Sequence, residues 1–269
     1  MIFLHIPKAS GTTLHRIIER QYEPTAVFTI DGTRVQESVD EFKKLPEARR
    51  EKVRVLKGHM HFGLHRYLPR PSTYITIVRD PVDRVISNYY YVLRTPGHRL
   101  YHEVKFRHMS LKDYVCSRIN PQLDNGQTRL LSGVEGRAIG ECSTEMLEIA
   151  QKNLQSFFSI VGLSERFDET LILLKRAFGW RIPFYVKANV TRNRPLKEDI
   201  SKDTLNLIEE YNELDIELYR YVIEMFEESI SQQIYTYKLE LILFRLLNKL
   251  YVSGLLQRLG YPRELEKSR

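Results

Sequence analysis

The stretch from Ile2 to Tyr22 constrains the fold more than any other. An apolar run, Ile2-Phe3-Leu4, ends in a loop of small residues around one lysine, His5-Ile6-Pro7-Lys8-Ala9-Ser10-Gly11-Thr12-Thr13. Leu14, Ile17, Ile18 and Tyr22 then share one face of a helical pattern. The order strand, small-residue loop, helix gathers backbone N–H groups and a helix N-terminus around one point, which favours an anion there. Lys8 adds a mobile positive charge, and Ser10, Thr12 and Thr13 add hydroxyl donors. The expected ligand is a phosphate or a group like it.

The chain then alternates. Val27–Ile30 reads as a short strand closed by Asp31-Gly32, followed by a charged helix from Val35 to about Lys52. Val53–Lys57 reads as a strand ending at Gly58-His59-Met60-His61, and Tyr74–Val78 as another, ending at Arg79-Asp80-Pro81. Asp80 caps the next helix and Pro81 suits its first position; Val82, Val85, Ile86, Tyr89, Tyr90 and Leu93 form its apolar stripe. Further helices are expected from Ser110 to Cys116, Glu145 to about Leu154, Asp168 to Phe178 and, as one long element, Ser201 to Phe226, with a buried strand at Phe158–Gly162. Strands alternating with helices and few hairpin signals predict an α/β fold with a parallel central sheet flanked by helices. In such sheets ligands sit at the carboxyl ends of the strands, where the Lys8 loop, the His59 loop and Arg79 all stand.

Composition bounds the ligand. Against 34 acidic residues the chain carries 41 Lys and Arg, a net charge of +7 in 269 residues. That excess favours an anionic partner but is no dense nucleic-acid patch. Cys116 and Cys142 supply neither a disulfide framework nor a metal-ligand pair. His59, His61 and His65 lack a neighbouring carboxylate or cysteine, so no metal is expected. The first strand begins at Ile2, which predicts no leader and a cytoplasmic protein, or a soluble catalytic domain if the chain is cut from a longer anchored one. Leu239–Leu259 is rich in leucine, but Arg245, Lys249 and Arg258 interrupt it, and a spanning helix needs about 18 consecutive apolar residues. The expected organisation is a domain over residues 1–230 and a C-terminal amphipathic helical extension over 231–269, packed on that domain or at an interface.

The lysine of the first loop precedes its glycine, whereas a Walker loop places it late, in G-x-x-x-x-G-K-[ST]. No convincing metal-binding carboxylate ends a strand, since Asp80 is better explained as a cap. Nucleoside triphosphate chemistry would therefore lack its usual charge neutraliser.

His5-Ile6-Pro7-Lys8-Ala9-Ser10-Gly11-Thr12-Thr13 resembles the 5′-phosphosulfate loop of sulfotransferases, enzymes that use 3′-phosphoadenosine 5′-phosphosulfate (PAPS). Ile77-Val78-Arg79-Asp80-Pro81 through Ser87-Asn88-Tyr89-Tyr90 resembles their 3′-phosphate motif, an arginine at a strand end and a serine on the next helix. Lys57-Gly58-His59 resembles the catalytic-histidine segment of the uronyl and heparan-sulfate 2-O-sulfotransferase branch, with Lys57 where that branch often carries a further histidine. Asn125-Gly126-Gln127-Thr128-Arg129-Leu130-Leu131, and Asn212 with Asp215, Leu218 and Tyr219, are similar to segments of the same branch. The likeness covers residues 1 to 226.

The resemblance implies a P-loop-like three-layer fold and a PAPS-dependent O-sulfotransferase that leaves 3′-phosphoadenosine 5′-phosphate (PAP) as product and needs no metal. In-line sulfuryl transfer would rest on positioning and charge stabilisation. Lys8 would neutralise the leaving oxygen, Ala9 to Thr13 would hold the 5′-phosphate, and Arg79 and Ser87 would grip the 3′-phosphate. His59 is the natural general base, with His61 as runner-up or acceptor contact. Arg192, with Arg181 and Arg194, would close over the nucleotide or meet an acidic acceptor, and Arg129 would bind acceptor or support the fold. The acceptor expected is an acidic saccharide; a homo-oligomer is left open. The alternatives are a metal-dependent, kinase-like phosphotransferase and a non-catalytic PAP/PAPS binder.

Overall fold

A computed structural model describes residues 1–187, 195, 197–233 and 235–255. In chain order the strands are β1 (Ile2–Leu4), β2 (Val27–Ile30), β3 (Val55–Gly58), β4 (Tyr74–Val78) and β5 (Phe158–Leu163). The helices are α1 (Gly11–Gln21), α2 (Val35–Lys44), α3 (Glu47–Arg50), α4 (Pro81–Arg94), α5 (Tyr101–Phe106), α6 (Leu111–Cys116), α7 (Gly126–Ser132), α8 (Thr144–Phe157), α9 (Phe167–Phe178), α10 (Lys202–Glu210), α11 (Glu213–Ser231) and α12 (Thr236–Val252).

All five strands run parallel in the order β2-β3-β1-β4-β5. Every residue of β1, β3 and β4 is buried, Lys57 included. Strands that bury successive, opposite-facing side chains must be covered on both sides, which is why they read as continuous apolar runs rather than alternating ones. From β1 the chain moves to one side for β2 and β3, then crosses to the other for β4 and β5. The loop after β1 therefore opens at the point where the strand order reverses, the usual ligand position in an open parallel sheet.

Two junctions depart from the expected helices. The segment from Val35 breaks after Lys44, because Pro46 disfavours helical backbone at Leu45. The long helix from Ser201 is two helices, α10 and α11, separated at Tyr211-Asn212. Asn212 is fully buried; its Nδ2 donates to the Leu123 and Ile208 carbonyls, and its Oδ1 accepts from the Asn125 amide. A side chain that takes up neighbouring backbone groups in this way competes with helix continuation. A second cluster, built from α4, α5, α6 and α10 around Val85, Val104 and Tyr114, sits beside the main core. No described helix is long and apolar enough to cross a membrane.

The C-terminal helix α12 packs on α9 and buries Tyr237, Leu241, Phe244 and Tyr251, the last two stacking on Phe184. Glu240 pairs with both Lys175 (2.6 Å) and Arg176 (2.7 Å) of α9. Its outer face carries exposed Leu239, Ile242, Leu243, Leu246 and Leu250.

Candidate active site

A cavity of about 550 Å³ opens at the carboxyl ends of the strands. Its floor is the loop between β1 and α1, with Pro7, Lys8, Ser10, Gly11, Thr12 and Thr13 on the wall. The loop holds two non-glycine residues in the left-handed region, Lys8 (φ 68°) and Ser10 (φ 60°). Such conformations cost of order 1–3 kcal/mol each and persist where the surroundings enforce them. Ser10 is tied across the cavity by a 2.6 Å hydrogen bond between its hydroxyl and that of Ser164, just beyond β5. Ala9 is the exception among the loop residues: its side chain is buried in the main core, which leaves only its backbone for a ligand.

Lys8 Nζ lies 3.9 Å from the centre of the Tyr91 ring. Burial, and then the charges of Arg94 and Arg79, push its pKa down to about 8. An anion beside it would relieve both. Arg79 stands at the end of β4 and donates from Nη1 to the Lys8 carbonyl at 3.0 Å, which couples the two cationic elements. Its backbone is clamped by Gln127, whose Oε1 accepts from the Arg79 amide (3.0 Å) and whose Nε2 donates to the Arg79 carbonyl (2.9 Å). Ser87, on α4, lines the same cavity, as does Tyr91 one turn further on. Asp80 caps α4, accepting from the Asp83 amide at 2.8 Å.

His59 reaches the cavity from the loop after β3. Its Nδ1 lies 3.0 Å from the His5 carbonyl oxygen. A carbonyl only accepts, so Nδ1 carries the proton and Nε2 keeps its lone pair. Burial lowers the His59 pKa, and the bond to the His5 carbonyl partly opposes that. A neutral imidazole with a fixed tautomer is suited to accept a proton. The His5 ring stacks on it at 4.2 Å between centroids and also lines the cavity. The sequence alone does not single out His5, because the contact joins residues 54 apart.

The other sequence candidates are not in the described cavity wall. Arg129 is buried and wholly engaged in the fold: it pairs with Asp124 and donates to the Asp124, Arg137 and Ala138 carbonyls. It does not line the cavity; its contacts hold the chain around residues 124–140, the second of the two roles expected for it. His61 likewise stays out of the cavity wall, and its Nδ1 is buried without a partner among the described residues. Arg192 and Arg194 lie outside the described residues. Arg181 lines a smaller cavity beside Trp180 instead.

The segment around Gln127 is held from behind. Asp215, fully buried, accepts from the amides of Gln127 (3.0 Å) and Thr128 (2.8 Å), from the Thr128 hydroxyl (2.8 Å) and from buried Arg84 (3.3 Å). Asn125 Oδ1 in turn accepts from the Asp215 amide at 3.0 Å. The two segments around Asn125 and Asn212 are thus one bracket that fixes Arg79.

The remaining wall has no local signal in the sequence. It comes from Glu165, Arg166, Phe167 and Asp168 after β5, from Tyr185 and Lys187, and from Arg245 of α12. Asp168 accepts from the Tyr185 hydroxyl (2.7 Å) and from Arg245 (3.2 Å), and the Tyr185 amide donates to Asn248 (2.8 Å). Among the described residues no cluster of three or more His, Cys, Asp or Glu is arranged to hold a metal ion.

The chain is similar to known proteins over most of its length. Human heparan-sulfate 6-O-sulfotransferase 1 is 30% identical over 200 residues, 64% of this chain and 46% of that protein. The zebrafish heparan-sulfate 6-O-sulfotransferase 1-B is 30% identical over 196 residues, 63% of this chain and 46% of its own. An Arabidopsis thaliana protein-tyrosine sulfotransferase is 31% identical over 105 residues, 38% of this chain and 19% of that one. The chain thus spans about half the length of the heparan-sulfate enzymes it matches. The family model described as "Sulfotransferase family" matches residues 1–222. By that match, which takes in the loop, Arg79, Ser87 and His59 but ends before α12, the chain belongs to the sulfotransferase family.

Proposed function

We propose that this protein transfers the sulfuryl group of PAPS to a hydroxyl of a saccharide. One observation carries the reading: an anion-holding loop with its lysine, a second cationic grip at Arg79 with Ser87, and a histidine in its proton-accepting form all face one cavity. The residues suit a donor with two phosphate-bearing ends. The loop amides with Ser10, Thr12 and Thr13 would hold the 5′ end, and Arg79 with Ser87 the 3′-phosphate, through charge-assisted hydrogen bonds. When bound, PAPS supplies the activated sulfuryl group.

The chain's own residues do the rest. Lys8 is stationed to neutralise charge that grows on the leaving phosphate, an interaction stronger in the transition state than before it. His59 Nε2 accepts the proton of the acceptor hydroxyl while its Nδ1–H stays on the His5 carbonyl, so the ring keeps its orientation throughout. Charge neutralisation is assigned to Lys8 and Arg79, so the reaction is expected to persist in EDTA. The acceptor is inferred as an acidic saccharide from the net charge of +7 and from the likeness to heparan-sulfate 6-O-sulfotransferases.

The test pairs binding with turnover. PAP should bind in EDTA by calorimetry, and radiolabelled PAPS should sulfate selectively desulfated heparan oligosaccharides. His59→Ala should keep PAP affinity within about threefold and lose about 10²–10⁴-fold in turnover. Stabilisation by ATP–Mg²⁺ with none by PAP would overturn the reading.

A further inference from the structure

Beneath the cavity a buried polar chain runs from the surface to the loop. Glu19, exposed on α1, accepts from Lys57 Nζ at 2.6 Å. Lys57 Nζ also lies 3.0 Å from His15 Nδ1, and His15 Nε2 lies 3.0 Å from His5 Nδ1. The direction of every bond follows from its first member. An ammonium has three N–H groups and no lone pair, so Lys57 donates and His15 Nδ1 accepts. Burial, then the charges of Lys57 and His59, push the His15 pKa down to about 3, so the ring is neutral and its one proton is on Nε2. That proton is donated to His5 Nδ1. Burial above all keeps His5 neutral as well, so its proton is on Nε2.

His5 Nε2 faces the loop: a Cβ built on Gly11 would lie 1.9 Å from it. Two stacked imidazoles therefore present opposite chemistry to the same cavity. His59 offers a lone pair and His5 an N–H.

We propose that His5 is a fixed N–H donor to the anionic group seated in the Lys8 loop, and that Glu19, Lys57 and His15 are positioning residues that hold it in the Nε2–H tautomer. The arrangement gives Lys57 a purpose on this side of β3 that its place before Gly58-His59 did not suggest. It also separates two duties a single histidine cannot perform at once, since a ring that donates to a phosphoryl or sulfuryl oxygen through Nε2 is unable to accept the acceptor's proton there. The assignment rests on the sulfotransferase reading for the identity of the anion, not for the tautomer.

The experiment has two arms. In the ligand-free ¹⁵N-histidine protein, long-range ¹H–¹⁵N spectra should show protonated Nε2 on His5 and His15 and protonated Nδ1 on His59. Lys57→Met should redistribute the His5 and His15 tautomers while leaving His59 as it is. In the second arm, PAP should shift His5 Nε2–H, and inorganic phosphate should do so more weakly. His5→Phe should weaken PAP binding by about 10- to 100-fold, the range for a hydrogen bond to a charged group. His5→Gln, which keeps an N–H near the same place, should recover most of that loss. A protonated Nδ1 on His5, or equal affinity in His5→Phe and His5→Gln variants that melt like the parent, would overturn the proposal. Failure of the parent protein to bind PAP would overturn the nucleotide reading, while the ligand-free spectra would still decide the His5 tautomer.

Discussion

Asp215→Asn is a severe test of the bracket behind Arg79. The carboxylate is fully buried and spends both oxygens: Oδ1 accepts from the amide and hydroxyl of Thr128, and Oδ2 from the Gln127 amide and Arg84 Nη2. Asparagine keeps the shape but has one oxygen, so its NH₂ meets two donors wherever it is placed. Arg84, also fully buried, loses its counter-charge. Removing one partner of a buried pair costs about 3–5 kcal/mol, a large share of the roughly 5–15 kcal/mol that holds a domain folded. With a urea slope near 3 kcal/mol/M, the unfolding midpoint should fall by roughly 1–2 M. The matched control is Arg84→Met in the same chain. Without the stranded charge, the double variant should be less destabilised than the sum of the singles by at least about 1 kcal/mol. Circular dichroism in urea on the four proteins decides the matter. An Asp215→Asn midpoint within 0.3 M (roughly 1 kcal/mol by the same slope) of the parent, or strict additivity, would refute the reasoning from a stranded charge.

Three further outcomes are expected. The pH profile of kcat/KM should fall on the acid side below the ordinary histidine range, because burial lowers the His59 pKa and only the neutral ring accepts a proton; on the alkaline side it should fall from near pH 8, where Lys8 of the free protein loses its charge. An acid limb at or above the ordinary histidine range counts against His59, and a profile flat to pH 10 counts against Lys8. Gly11→Ala should abolish PAP binding measured by calorimetry, since the new Cβ occupies the place of the His5 ring and the loop and ring cannot both stay. Truncation after Ser231 should lower the melting temperature and weaken PAP binding together, because it removes the Arg245–Asp168 and Asn248–Tyr185 contacts at the cavity wall; a truncated chain that binds PAP like the parent would show α12 to be dispensable to the site.

The parts of the site legible in the sequence are those written locally. Strand, loop and helix follow one another between Ile2 and Gln21, and Arg79, Asp80 and Pro81 mark a strand end and a helix start within three residues. The apolar runs of β1 and β4 and the stripe of α4 are strong for the same reason. What stayed hidden depends on distance along the chain. Nothing near His5 announces that His15 and His59 will enclose it, and nothing near Arg129 announces that Asp124 and the carbonyls at 137 and 138 will absorb it. Asn212 ends α10 through bonds to two carbonyls, one of them 89 residues away, so the apolar stripe runs through a break that periodicity does not register. Arg245 lies beyond the family match and enters the cavity only because Glu240 and the buried aromatic residues dock α12 on α9.

The central place of β1 also sets a timetable for synthesis. Its register partners are Leu56–Gly58 on one side and Tyr74–Ile75 on the other. The loop carrying Lys8 therefore leaves the ribosome before both of its neighbouring strands and waits until β4 has been made. At 5–20 residues per second the interval from Ile2 to Tyr74 is about 4–14 s, and Ser164, which ties Ser10 in place, comes later still. Until Leu56–Gly58 have been made, a short, wholly apolar strand stands without neighbours. The Lys8 loop is translated ahead of the strands that complete it and is among the last parts able to take up nucleotide, so bound PAP would be expected to speed only the closing steps of folding.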